Sequence, residues 1–122
     1  MSTKIYKGST STQLAHLDGG KLYEGISPSQ IARIDGSKVF QGTSSKQILK
    51  IEGGKVYEGT SSRQIARIDG SKVYQGTSSS QIAKIDNGKI YQGTSSTQIG
   101  KYEGPISISE IAAILSLVFA VI

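Results

Sequence analysis

The sequence predicts a mainly β fold: a closed antiparallel meander barrel of about twelve short strands, laid down as six 17-residue hairpin repeats around a central hydrophobic C-terminal α-helix. Three observations carry this. A 17-residue period runs through most of the chain, each period contains a hairpin turn signal, and the last twelve residues are uncharged and almost wholly apolar.

The period comes first, because internal repetition constrains architecture more than any local propensity. Lys4, Lys21, Lys38, Lys55, Lys72 and Lys89 keep the step, as do the aromatics Tyr6, Tyr23, Phe40, Tyr57, Tyr74 and Tyr91. Glycines from Gly8 to Gly93 and glutamines from Gln13 to Gln98 share it. The consensus is K-(V/I)-Y-x-G-T-S-S-x-Q-I-A-(R/K)-I-D-G-(S/G), with six blocks over residues 4–105 and the tail over 106–122 in one domain, 1–122. The sixth block departs from the pattern at Gly100, Tyr102 and Pro105, where the chain must leave the repeat.

Each block offers two short strands, Lys-Val-Tyr-x-Gly and Gln-Ile-Ala-Arg-Ile, both suited to a pleated surface. Asp35-Gly36-Ser37-Lys38, Glu52-Gly53-Gly54-Lys55 and Asp86-Asn87-Gly88-Lys89 supply the positive φ angles that two-residue hairpins need. Acid and lysine then face each other across the turn, a weakly favourable pair. Thr-Ser-Ser forms the opposite, polar turn. Pairing about Asp35-Gly36 sets Ile34 against Val39 and Ala32 against Gln41 on an inner face. Arg33 against Phe40, and Ile31 against Gly42, fall on the outer one.

The tail Ile111–Ile122 holds eleven apolar residues and one serine. As a helix it spans about 18 Å, against about 30 Å of bilayer core, and a helix apolar all round is buried in something. Twelve strands about 4.8 Å apart close into a barrel of roughly 12 Å radius, which one helix fills. Ser107 and Glu110 form a capping box ahead of it, and closure removes exposed strand edges. A membrane anchor is the competing reading of the tail. A solenoid fits poorly because the turns reverse the chain, and a propeller needs about four strands per blade, more than one block holds.

These hairpins and tail resemble the β-flower proteins, shallow pseudo-symmetric rings of hairpins around a hydrophobic helix, over Lys4–Ile122. The resemblance implies the fold and carries no catalytic motif. More remotely the architecture is similar to the Tubby C-terminal domain, a twelve-stranded barrel threaded by a helix. Tubby binds phosphoinositides through basic surface residues, but no lipid-binding motif of that domain matches here.

Composition excludes several chemistries. With no cysteine there is no disulfide, thiolate metal site or thiol nucleophile, and a reducing cytoplasmic location is expected. The N-terminus lacks the apolar run of a secretory signal. The single histidine, His16, stands where other blocks have Arg33, Lys50, Arg67, Lys84 and Lys101, so it reads as a surface residue. No Walker loop, dinucleotide fingerprint or nucleophile elbow appears, so a non-enzymatic module without cofactor or metal is expected.

Two repeated surfaces remain as candidates. One is the ring of Arg33, Lys50, Arg67, Lys84 and Lys101 with Tyr23, Phe40, Tyr57, Tyr74 and Tyr91, whose cations and π-faces suit anionic headgroups. The other is the Thr-Ser-Ser rim, whose hydroxyls suit carbohydrate. With a net charge of +5, docking to an anionic membrane surface is the leading expectation. A lectin-like module and a purely structural assembly unit follow. No specific nucleic acid is expected, and a helix plugging its own barrel implies a monomer.

Overall fold

The computed structural model describes residues 2–122; Met1, the first residue of the expected single domain, lies outside them. Twelve strands follow in order: β1 (Ser2–Lys7), β2 (Gln13–Asp18), β3 (Lys21–Glu24), β4 (Gln30–Asp35), β5 (Lys38–Gln41), β6 (Gln47–Glu52), β7 (Lys55–Glu58), β8 (Gln64–Asp69), β9 (Lys72–Gln75), β10 (Gln81–Asp86), β11 (Lys89–Gln92) and β12 (Gln98–Glu103). Each pairs antiparallel with its neighbours in sequence, and β1 pairs with β12 to close the barrel. One helix, α1 (Ile108–Leu117), follows the last strand.

The inner face is the expected one. Ala32 and Val39 are fully buried, as are Ala15, Leu22, Val56, Ala66, Val73, Ala83 and Ile90 at equivalent positions. Against them lie Ala112, Ala113, Ile114 and Leu115 of α1, also fully buried. The strand alanines leave the room that the helix occupies.

The placement of Ile31 on the outer face is corrected. Tyr23 pairs with Gln30 and Leu22 with Ala32, so Ile31 is an extra residue in β4, a β-bulge. The bulge turns its side chain to pack against the core, with Ile48, Ile65, Ile82 and Ile99 likewise. Gly42 N–H still donates to the Ile31 carbonyl (3.0 Å), so the pairing holds while the face changes. The pairing between the two strands of each block carries the same irregularity in all six blocks.

The hairpin turns alternate between two conformations. Gly53 and Gly54 both have positive φ (56° and 83°), as do Gly19-Gly20 and Asn87-Gly88, whereas at Gly36-Ser37 and Gly70-Ser71 only the glycine does. The second turn residue touches the next block in both cases: Ile68 N–H donates to the Gly54 carbonyl (2.7 Å) and Ile51 N–H to the Ser37 carbonyl (2.8 Å). Left-handed backbone at the first position is common to both forms, and Asn87 fills it once. Gly53→Ala is therefore expected to destabilise by about 1–2 kcal/mol, and Gly53→Asn by much less, as read by thermal denaturation.

The helix is shorter than the whole tail. Residues 106 and 107 precede it, and it ends at Leu117. Ser107 caps it as expected: Glu110 N–H donates to Ser107 Oγ (3.2 Å), and Ser107 N–H to Glu110 Oε1 (2.8 Å). The stop at Leu117 follows from wall height. A six-residue strand of about 20 Å tilted by about 40° stands roughly 15 Å tall, the length of a ten-residue helix at about 1.5 Å per residue. Beyond it Ala120 adopts φ 53°, and Val121 N–H folds back onto the Leu115 carbonyl (2.7 Å), laying the last apolar residues across the barrel mouth. No helix among the described residues is long and apolar enough to cross a membrane.

A candidate anion-binding wall

The outer face is built from the same repeat. In a pleated strand alternate residues share a face, so buried Ala32 forces Arg33 outward, and buried Val39 forces Phe40 outward beside it. The Arg33 guanidinium lies 4.2 Å from the Phe40 ring centroid, and Arg67 lies 4.2 Å from that of Tyr74. Lys50 Nζ stands 4.9 Å from the centroid of Tyr57, and Lys84 Nζ 5.0 Å from that of Tyr91. In the remaining two blocks, His16 stacks on Tyr23 at 4.8 Å, and Lys101 covers Tyr6 at 5.3 Å across the β1–β12 seam.

All ten candidate residues thus lie on one belt, each basic residue over an aromatic ring, although Tyr23 faces His16 rather than a lysine or arginine. Tyr6 completes the belt and was absent from the candidate set. Its 17-residue spacing was a sufficient signal, but its partner is 95 residues away and becomes visible only when the barrel closes.

The belt includes a second set of cations that sequence reasoning assigned elsewhere. Lys21, Lys38, Lys55, Lys72 and Lys89 face the turn acids within their hairpins, as expected. On the other side each faces the wall cation of its own block: Lys21 with Arg33, Lys38 with Lys50, Lys55 with Arg67, Lys72 with Lys84, and Lys89 with Lys101. The bulge causes this. In a regular register continued from the Tyr23–Gln30 pair, Lys21 would fall opposite Ala32. Like charges directly opposite on neighbouring strands repel, and the fold repeats that arrangement five times.

Charge accounting gives the same picture. Six turn lysines are matched in number by six turn acids, and Lys7, Lys46 and Arg63 by Glu24, Glu58 and Glu110. Arg33, Lys50, Arg67, Lys84 and Lys101 are the surplus, equal to the whole net charge of +5. Arg33 and Arg67 approach Asp35 (4.0 Å) and Asp69 (3.7 Å), whose side chains are 74% and 72% exposed. Pairs so solvated hold little energy and leave both guanidinium groups free to exchange partners.

The other polar elements are occupied internally. Each repeat glutamine donates from Nε2 to a glycine carbonyl of the next block, at 2.7 to 2.9 Å, with Gln98 to Gly8 closing the circle. On the hydroxyl rim, Ser44 Oγ donates to the Gln41 carbonyl (2.7 Å) and accepts from Lys46 N–H (3.2 Å). Equivalent bonds tie Thr10, Ser27, Ser61, Ser78 and Ser95 into their turns. Among the described residues no group of three or more His, Asp or Glu is placed to hold a metal ion.

Comparison with known proteins gives one match, over residues 5–115, to the family model described as 6-fold beta flower protein. No curated protein and no solved structure matches the chain.

Proposed function

The chain belongs to the 6-fold beta flower family, and from that premise we propose that it is a small non-enzymatic docking module whose basic-aromatic wall adheres to anionic membrane surfaces. One observation carries the reading: the fold sets five pairs of like charges opposite one another around its outside, where an anion between them relieves the repulsion. The neighbouring ring holds each wall cation upright, which lowers the entropy lost when a headgroup binds. Each basic residue near an anionic leaflet contributes about 1 kcal/mol. A curved wall presents only two or three blocks at once, so attachment is weak, salt-sensitive and indifferent to which blocks make it.

That degeneracy gives the test. Arg67→Gln alone should change sedimentation with phosphatidylserine vesicles by less than about twofold, because other faces substitute for the lost one. Arg33→Gln, Lys50→Gln, Arg67→Gln and Lys84→Gln combined should reduce it at least tenfold. The full chain should also release as salt rises and the Debye length shrinks below the pair spacing. Unchanged vesicle binding by the fourfold variant would falsify the membrane reading. The carbohydrate reading draws less support, since the rim hydroxyls are engaged within their turns and the rings carry cations over one face.

A further inference from the structure

The helix does not sit centrally. It approaches β4, β5 and β6 and stands away from the opposite wall. There a cleft of about 790 Å³ opens at the mouth, between Leu14, Ile82 and Ile99 of the wall and Val118, Phe119 and Val121 of the tail. Three of these, Leu14, Ile82 and Ile99, are bulge residues turned inward. A volume of this size falls in the range of small-molecule sites.

The lip of the cleft differs from the rest of the rim. At that repeat position five blocks carry Glu24, Gln41, Glu58, Gln75 and Gln92, and the first carries Lys7. Lys7 is the one charged residue lining this cleft, and Gln92 stands with it. A smaller cleft of about 320 Å³ on the other side of Val118 has Glu24 at the equivalent place. The larger opening thus joins an apolar floor to a single exposed cation, and the smaller one repels the same ligand.

We infer that the cleft binds a single-chain amphiphile with a carboxylate head, a long-chain fatty acid, its chain along Ile82, Ile99 and Phe119 and its carboxylate at Lys7. This site lies at the mouth, away from the wall belt, and stands or falls separately from membrane docking. The experiment is a titration of the full chain with carboxyl-¹³C palmitate below its aggregation concentration, read by ¹³C NMR. One saturable site is expected. Lys7→Glu should weaken it about tenfold, and Val121→Trp, which fills the cleft from the tail, should do at least as much. The fourfold wall variant should bind palmitate like the parent. Both site variants alter residues outside the fully buried core, and unchanged far-ultraviolet circular dichroism confirms that each is folded; Lys7→Gln serves as a milder second charge variant. Absence of saturable binding, or indifference to either the Lys7 or the Val121 change, overturns the assignment.

Discussion

A chain ending at Glu110 is expected to lose the barrel and not merely the helix. Removal of residues 111–122 deletes Ala112, Ala113, Ile114 and Leu115, which are fully buried. Burying each large aliphatic side chain contributes about 1.5–3 kcal/mol, and the strand residues that face them would line an empty lumen as well. Against a typical stability of about 5–15 kcal/mol, that loss is decisive. The inner alanines at 15, 32, 66 and 83 are too small to collapse across the gap, so the wall has no alternative packing. Circular dichroism and size exclusion should show an unfolded or aggregated chain beside a compact full-length protein. A folded, monomeric truncated barrel would instead mean that the hairpins stand by themselves and that the tail is free to serve elsewhere. A milder form of the experiment is Leu115→Ala, expected to cost about 2–5 kcal/mol.

The same residues explain how far the sequence could be read. The period, the turns and the charge-free tail were each legible because they are local or strictly repetitive, and closure follows from repeating one hairpin until its edges meet. What was not legible depended on one residue per block. Ile31 is indistinguishable in type from a strand residue, and alternation alone places it outside; its position on the wrong face was the only trace of the bulge. That single insertion decides both that Ile31 turns to the core and that Lys21 meets Arg33. The charged wall was therefore half visible: each cation and ring could be named, but not the lysine that faces each cation from the other strand of its block. The helix end was hidden for a different reason. Nothing in Val118-Phe119-Ala120 opposes helix except propensity differences too small to decide, and the limit came from the height of the surrounding wall.

Gly100→Leu is expected to destabilise the protein by about 2–3 kcal/mol, by the mechanism of overpacking. This glycine departs from a repeat position that otherwise holds Ala15, Ala32, Leu49, Ala66 and Ala83. Its backbone lies outside the left-handed region, so conformational freedom is not the reason for it. Space is: a Cβ built at Gly100 would clash with Cζ and Cε1 of the Phe119 ring. Phe119 packs into the notch in the wall that the missing side chain leaves, where its N–H donates to the Ile114 carbonyl (3.0 Å) and Ala120 reverses the chain just beyond. Leu49 shows that the strand itself accepts leucine at this position, being 3% exposed there. The destabilisation therefore belongs to the displaced ring, not to the new side chain. It follows that Phe119→Ala, harmful alone through the void it opens, should relieve Gly100→Leu, because the leucine fills the space the ring vacates. A double-mutant cycle by chemical denaturation should give a favourable coupling of about 1–2 kcal/mol. Additive losses would mean that the ring swings out of the notch freely and that Gly100 and Phe119 do not depend on each other.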